Sequence, residues 1–257
     1  MWHKPQLMTA VADLLLVAAA AALLVAAVLW GTRLPLFPLR EVVVKHELTE
    51  VRRSEVERSL AGLLRGNFFS VNLESLRQSL EKLPWVRRAE ARRQWPSRIE
   101  LTIEEHQPAA RWGEGNGQLV NSFGEVFVAT MSRDMPLPLL SGPAGSSAEL
   151  LRYHREFAQM LETIGRRPEQ VNLSPRLAWQ IKLDDGMQLD LGREQPKAPV
   201  ATRMQRFIEF YPVVTDVRRG RPTTVDMRYP NGFALRVAPN GAGRETGSSG
   251  HEGRGKE

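Results

Sequence analysis

Cysteine is absent from this chain of 257 residues. Without a thiol, the protein has no disulfide framework, no thiolate nucleophile and no cysteine-ligated zinc site. A body without disulfides is compatible with the bacterial periplasm. The absence of cysteine therefore excludes several classes of enzyme and metalloprotein, while most binding and structural proteins remain open.

Sequence patterns typical of catalysis are also scarce. The chain has five histidines and neither a G-x-S-x-G elbow nor a Walker phosphate loop. Gly113–Gly117 lacks the strand-to-helix setting of a dinucleotide site and is interpreted as a surface turn. Asp184–Asp185 lies beside a glycine at a predicted hairpin tip, and Glu104–Glu105 closes a predicted strand. We therefore expect no enzyme, with no catalytic residue, cofactor or metal.

One long apolar run lies near the amino end, from Leu14 to Trp30, and contains no charge. A bilayer core of about 30 Å requires about 20 helical residues, so residues 13–31 are predicted to form a transmembrane helix. Trp30 fits an aromatic position at the membrane interface. A cleaved signal peptide is the alternative, but its apolar core is usually about 7–15 residues and ends in small residues.

The charges that flank this helix do not decide its orientation, because Lys4 precedes it and Arg33 and Arg40 follow it. Long domains translocate largely regardless of such charges. We expect residues 1–12 to be a short cytoplasmic tail and the body to lie in the periplasm, as in a type II inner-membrane protein. The net charge of +6 is attributed to a mildly basic surface rather than to nucleic-acid binding, because basic residues alternate with apolar ones.

Residues 32–38 are predicted to be a proline-containing linker, and residues 39–106 are predicted to follow the order strand, helix, helix, strand, strand. The first helix is predicted to begin with a capping box at Ser54 and to continue through Leu64. Asn72 is the predicted N-cap of the second helix. The last two strands alternate on either side of a turn at Trp95–Ser97. One small sheet with two helices on one face would bury all of these apolar stripes.

Residues 107–239 are predicted to be rich in strands, with helices from Ser147 to Ile164 and from Pro199 to Tyr211. Alternation predicts a hairpin over Leu177–Leu191 and a final hairpin that turns at Pro230–Gly232. Residues 240–257 are almost free of apolar side chains and are predicted to be a disordered tail. The fold class is therefore α+β, with a transmembrane helix, a small βααββ domain and a mixed, β-rich domain with flanking helices.

A specific set of motifs runs along the body in order. Leu83-Pro84-Trp85-Val86 enters a strand, and Arg92-Arg93-Gln94-Trp95-Pro96 forms the turn that follows. The later motifs are Glu105-x-x-Pro108, Ala110-Arg111-Trp112, Leu139-Leu140-x-Gly142-Pro143, Trp179-Gln180-x-x-Leu183, Leu189-x-Leu191-Gly192-Arg193, Arg206-Phe207-x-Glu209-x-Tyr211-Pro212 and Val225-Asp226-x-Arg228-Tyr229. Together they resemble the FtsQ family of bacterial cell-division proteins, called DivIB in some lineages.

The resemblance implies a bitopic inner-membrane protein with a POTRA domain over 39–106 and an FtsQ-type β domain over 107–239. It implies a non-enzymatic scaffold at the division septum that links early and late division proteins. The implied partners are FtsB and FtsL, which are small bitopic coiled-coil proteins, together with further division proteins at the POTRA domain. No nucleic acid and no cofactor is implied.

The resemblance also implies where FtsB binds, since in the family this partner adds to the final strand region. Tyr229 and Phe233 would supply anchoring aromatic area, and Arg228 would meet an acidic group. Both aromatics packing inside the hairpin remains the alternative. Arg203 and Arg206, on the preceding helix, would add to the positive charge of Arg228. The matching positions are Arg228, Tyr229, Asn231, Gly232, Phe233 and Leu235.

Pro230 departs from a regular edge strand, because proline removes one backbone donor. The role of the basic hairpin Arg87–Arg98 stays open. Two other function classes remain: a POTRA-containing periplasmic assembly or secretion component, and a periplasmic wall hydrolase. The first would normally carry several repeats or a membrane barrel, and the second would need a nucleophile or metal set. Neither feature is visible in the sequence.

Overall fold

The computed structural model describes residues 5–33, 38–113, 115, 117–215, 222–229 and 232–237. The chain divides into two compact units, Met1–Gln107 and Pro108–Glu257. The tail predicted at 240–257 and residues 34–37 of the predicted linker lie outside the described residues.

The apolar run forms a single helix, α1, over Pro5–Arg33. At 1.5 Å per residue this helix is about 44 Å long. Its stretch Thr9–Ala27 is long and apolar enough to cross a membrane, and none of that stretch is buried in the protein. An apolar stretch of this length that is not buried in the protein is compatible with a single-pass membrane anchor.

The rest of the first unit has the predicted strand–helix–helix–strand–strand order, which is confirmed. The sheet order is β1-β3-β2, with β1 parallel to β3 and β2 antiparallel to it. The elements are β1 (Glu41–Val44), α2 (Arg53–Leu60), α3 (Leu73–Leu80), β2 (Val86–Gln94) and β3 (Arg98–Glu105).

The two short helices begin differently. Asn72 caps α3 as predicted, since its side chain accepts the backbone N–H groups of Glu74 and Ser75. The capping box at Ser54 is wrong. Helix α2 starts at Arg53 without a side-chain cap, and Glu57 bonds the Arg53 guanidinium at 3.1 Å.

Helix α2 also ends earlier than its apolar stripe predicts. Its last residue is Leu60, and the N–H groups of Leu63 and Leu64 both donate to the Leu60 carbonyl oxygen. This tightened turn leads into the loop before α3. Arg93 of β2 holds that loop, donating to the carbonyl oxygens of Phe68 (3.0 Å) and Val71 (2.7 Å).

Among its described residues, the second unit contains one nine-stranded sheet and two helices. The strand order is β12-β11-β10-β9-β8-β7-β4-β5-β6. The elements are β4 (Pro108–Trp112), β5 (Gln118–Asn121), β6 (Val126–Val128), β7 (Leu139–Ser141), α4 (Ser147–Glu162), β8 (Pro168–Leu173), β9 (Ala178–Leu183), β10 (Gln188–Arg193), α5 (Val200–Val214), β11 (Pro222–Asp226) and β12 (Ala234–Val237).

The sheet is mixed, as a β-rich domain with crossover helices requires. Strands β4/β7, β7/β8 and β10/β11 pair in parallel, and the other neighbours pair antiparallel. Helix α4 leads from β7 to β8, and α5 leads from β10 to β11. Both helices pack on the sheet and against each other. Their buried apolar side chains, such as Phe157 and Phe207, share one core with Trp179 and Leu189.

The predicted helices and hairpins of this unit are present, with changes at three of their ends. Helix α4 ends at Glu162 instead of Ile164. Helix α5 continues through Pro212 to Val214 instead of ending at Tyr211. Pro212 is exposed near the end of the helix, where the loss of one backbone donor is easily tolerated. Strand β11 ends at Asp226, three residues before the predicted turn approach at Tyr229.

The turn between β5 and β6 packs closely on the first turn of α4. The Ser147 hydroxyl donates to the Gly124 carbonyl oxygen at 2.6 Å. Gly124 has a φ of 86°, and a Cβ placed there would lie 2.5 Å from the Ala148 Cα. Only glycine therefore allows this approach.

We predict that Gly124→Ala destabilises the protein more than Gly186→Ala does. Gly186 has the same φ of 86° at a hairpin tip, but a Cβ there meets nothing within 4 Å. The control should cost about 1–2 kcal/mol of unfolding free energy for the left-handed backbone. Gly124→Ala should cost about 1–3 kcal/mol more, because α4 must move. Urea unfolding of the full chain in detergent micelles, followed by circular dichroism, measures both, and equal losses would contradict the packing argument.

Candidate partner-binding edge

Strand β12 is the last strand on one side of the nine-stranded sheet. Its inner side pairs with β11, with Leu235 opposite Val225 and Ala234 opposite Asp226. Within the residues that the structure describes, no strand pairs with its outer side. A strand paired on one side leaves a row of N–H and C=O groups that another strand can pair with. The edge therefore offers a backbone template.

An apolar surface lies beside this edge. Leu235 and Phe233 are half-buried and pack against the core of the unit. The Phe233 ring lies 5.5 Å from the ring of Phe210 on α5, measured between centroids. Phe210 keeps 41% of its surface exposed. The edge patch, defined as Phe210, Phe233 and Leu235, thus places aromatic and aliphatic area along β12.

The loop between β11 and β12 carries the remaining expected partner residues. Tyr229 is 55% exposed, so it does not fill the hairpin core. Phe233 does pack partly inward, as the alternative interpretation expected. Gly232 is half-buried, whereas Pro230 and Asn231 lie outside the described residues.

The loop is longer than a tight turn because Asp226 bends the backbone. The Met227 N–H still donates to the Asp190 carbonyl oxygen on β10, which continues the pairing of β10 and β11 by one bond. The Arg228 N–H then donates to the Asp226 carboxylate at 3.0 Å, and this local turn ends the strand that alternation predicts to reach Tyr229. Tyr229 consequently lies in the loop instead of in a strand.

Arg228 is paired within its own chain. Its Nε and Nη2 atoms donate to the Asp226 carboxylate at 2.8 and 2.5 Å. This bonding lowers the pKa of the Asp226 carboxyl and raises that of the guanidinium. The Arg228 side chain remains 62% exposed. It therefore presents a charge-compensated pair to any partner, instead of the lone cation expected from sequence.

Arg203 is buried, with 3% of its surface exposed. Its guanidinium donates to the carbonyl oxygens of Leu191, Arg193 and Ala198. Burial lowers the pKa of Arg203 from its ordinary value. Arg203 thus binds backbone inside the protein and adds no charge to the surface, contrary to the expectation that it would. Arg206, on the same helix, is half-buried.

Gly192 lies where the two arginines meet. The ladder between β9 and β10 shifts register between Asp190 and Gly192, and Gly192 has a φ of 72°. A Cβ there would be 2.9 Å from the Arg228 Cγ and 3.2 Å from the Arg203 Nη1. This bulge turns β10 carbonyls toward Arg203 and leaves room for Arg228 above.

Three residues of this region were not found from sequence: Phe210, Asp226 and Gly192. Phe210 did carry a signal, since it is a large apolar residue off the buried stripe of its helix. Gly192 inside an alternating strand is typical of a bulge. The Asp226 turn had no separate signal, because aspartate is also compatible with a strand end.

Other chemical groupings singled out from sequence have structural partners. Asp185 lies 3.3 Å and Asp184 3.9 Å from the guanidinium of Arg166. Glu105 accepts the backbone N–H groups of Thr49 and Val51, which ties down the loop after β1. Among the described residues, no group of three histidine, aspartate or glutamate side chains could hold a metal ion.

Comparison with known proteins agrees with this architecture. A family model for POTRA domains of the FtsQ type matches residues 37–106, and one for the C-terminal part of the cell-division protein FtsQ/DivIB matches residues 110–228. The chain is 39% identical to cell division protein FtsQ of Burkholderia pseudomallei, over 93% of this chain and 95% of the relative. For FtsQ of Nitrosospira multiformis the identity is 38%, over 92% and 99%.

The chain belongs to the FtsQ/DivIB family. Its role is accordingly in bacterial cell division, in a scaffold-type family whose partners are other division proteins. The match to the FtsQ C-terminal family model ends at Arg228. Strand β12 and the part of the loop from Tyr229 onward therefore lie just beyond the matched range.

We predict that Arg203→Gln destabilises this FtsQ-type domain far more than Arg228→Gln does. Removing the buried guanidinium leaves backbone carbonyls unsatisfied, at a cost of about 2–3 kcal/mol. The exposed Arg228–Asp226 pair is screened by solvent and should contribute less than about 1 kcal/mol. Urea unfolding of both variants in detergent micelles tests this. Similar small losses would show that the carbonyl contacts of Arg203 carry little stability.

Proposed function

We propose that this protein is a non-enzymatic, single-pass division scaffold with its body in the periplasm, and that it binds FtsB, together with FtsL, through β12. The observation that carries the proposal is the terminal position of β12, whose outer side meets no described strand. Through this contact the scaffold links early and late division proteins at the septum.

Strand addition gives both affinity and register. Each backbone pair that FtsB forms with β12 replaces two hydrated groups by one hydrogen bond, and alternate side chains of the added strand face the two sides of the sheet. On the helix side those side chains meet the edge patch of Phe210, Phe233 and Leu235. An apolar residue at every second position of the incoming strand fits this surface.

Polar contacts determine orientation. Tyr229 and the Asp226–Arg228 pair lie in the loop beside the edge, and the Arg228 guanidinium has donor capacity beyond the bonds to Asp226. An acidic side chain at one end of the FtsB strand would complete this arrangement. The proposed site also includes Arg206, Asn231 and Gly232. Arg203 contributes only indirectly, as a buried residue that holds α5 against β10.

A photo-crosslinking experiment tests the location of the contact. A benzophenone amino acid at Ala234, an exposed position of β12, should crosslink to FtsB in dividing cells. The matched control is Val128, which is 64% exposed on β6, the strand at the opposite end of the same sheet. Crosslinking to FtsB at Val128 and not at Ala234 would reject β12 as the site.

Tyr229→Ala is predicted to weaken FtsB binding by about 2 kcal/mol, or roughly thirtyfold in Kd, as expected for an exposed aromatic anchor. Phe123→Ala is the control, because Phe123 is similarly exposed at 59% in the β5–β6 turn. Affinity is measured with the purified full chain in nanodiscs and an FtsB periplasmic segment. An unchanged Kd for Tyr229→Ala would remove this residue from the interface.

A further inference from the structure

One end of the POTRA domain is held where the chain arrives from α1. The Arg40 N–H donates to the Ser97 carbonyl oxygen at 3.0 Å, and Pro38 forms a β-bridge with Asn67. Arg93 also joins these segments, since it donates to the Phe69 carbonyl oxygen at 3.2 Å. Segments 38–41, 65–70 and 92–98 therefore lie together, and we call them the proximal end.

The proximal end cannot lie far from the membrane. Helix α1 ends at Arg33 and β1 begins at Glu41. The connecting residues 34–40 span at most about 25 Å when fully extended. Since Arg40 bonds Ser97 directly, the tip of the β2–β3 hairpin is held within the same reach. Any shorter path of the connector brings the hairpin tip nearer to the end of α1.

The proximal end exposes aromatic area. Trp95, at the hairpin tip, is 78% exposed, and Phe69 is 42% exposed. The Phe69 ring contacts the buried Phe68 edge-on at 5.1 Å between centroids, and the core of the domain is formed by residues such as Phe68, Leu76 and Ile99. Tryptophan with an apolar face and a polar N–H is enriched at membrane–water interfaces. The exposed Trp95 ring is therefore suited to the headgroup region of a membrane.

The charge of the proximal end is strongly one-sided. Its three segments contain five arginines and a single acidic residue, Glu41. Arg98 pairs with Glu41 at 2.9 Å, and Arg93 is used by loop carbonyls. Arg40 and Arg65 are exposed, as is Arg92, which contacts Glu90 at 3.0 Å. Arginines near a membrane are attracted to anionic lipid headgroups.

We propose that the proximal end docks on the anionic membrane that α1 enters, with Trp95 in the headgroup region and the arginines against lipid phosphates. Because α1 anchors the chain, the proximal end is always at a high effective concentration near the bilayer. A weak contact with lipid is therefore enough for docking. Docking orients the POTRA domain on the membrane. This inference does not depend on where FtsB binds.

The absence of cysteine gives a direct test with the full chain in nanodiscs. Gln94→Cys puts one label at the end of β2, and Lys82→Cys puts one on an exposed site past α3. Lys82 precedes β2 and Gln94 is its last residue, and the two ends of this nine-residue strand are about 25–30 Å apart. An environment-sensitive fluorophore at Gln94→Cys should be quenched several-fold more by headgroup spin labels than one at Lys82→Cys.

The Trp95→Ala substitution should reduce the quenching at position 94, whereas Trp95→Tyr should retain it. Neutral lipid or high salt should also reduce this quenching, because both weaken the attraction between the arginines and the membrane. Thermal unfolding checks that each variant is folded. Equal quenching at positions 94 and 82 would overturn the proposal, as would insensitivity to both Trp95→Ala and lipid charge. Quenching at position 94 that is lost when other division proteins are added would assign the proximal end to a protein partner instead.

Discussion

The buried guanidinium of Arg203 is the contact on which the second unit depends. It binds three carbonyl oxygens, two from the end of β10 beside the Gly192 bulge and one from the segment before α5. Buried carbonyls without partners would be costly. By satisfying them, Arg203 holds α5 against β10, and the last two strands build outward from that position.

Arg93 has the corresponding role in the first unit, where its guanidinium donates to carbonyl oxygens of the loop between α2 and α3. A small exported protein often holds such loops with disulfides. This chain has no cysteine and uses arginine forks that satisfy several carbonyls at once. Stability at these points therefore arises from hydrogen bonding, with no requirement for an oxidising compartment.

Local sequence patterns predicted most helices and strands. The features that they did not predict depend on contacts between residues far apart in the sequence or on competing local hydrogen bonds. The hairpin around Gly186 and helix α4 follow from alternation and from an apolar stripe. The early end of α2 and the Asp226 turn depend on competing local hydrogen bonds. The burial of Arg203 depends on a bulge at Gly192, and the place of β12 depends on strand order with three parallel pairings. No local window contains that information, so the resemblance to FtsQ supplied the site.

Chain order gives the β12 edge a further property. Strand β12 follows every other described strand, and its neighbour β11 reaches the sheet only after α5 has crossed over it. Domains fold in the order in which they are synthesised. Strand β12 is consequently the last described strand of the sheet to be synthesised, so the sheet can present this edge only after nearly all of the second unit has been made.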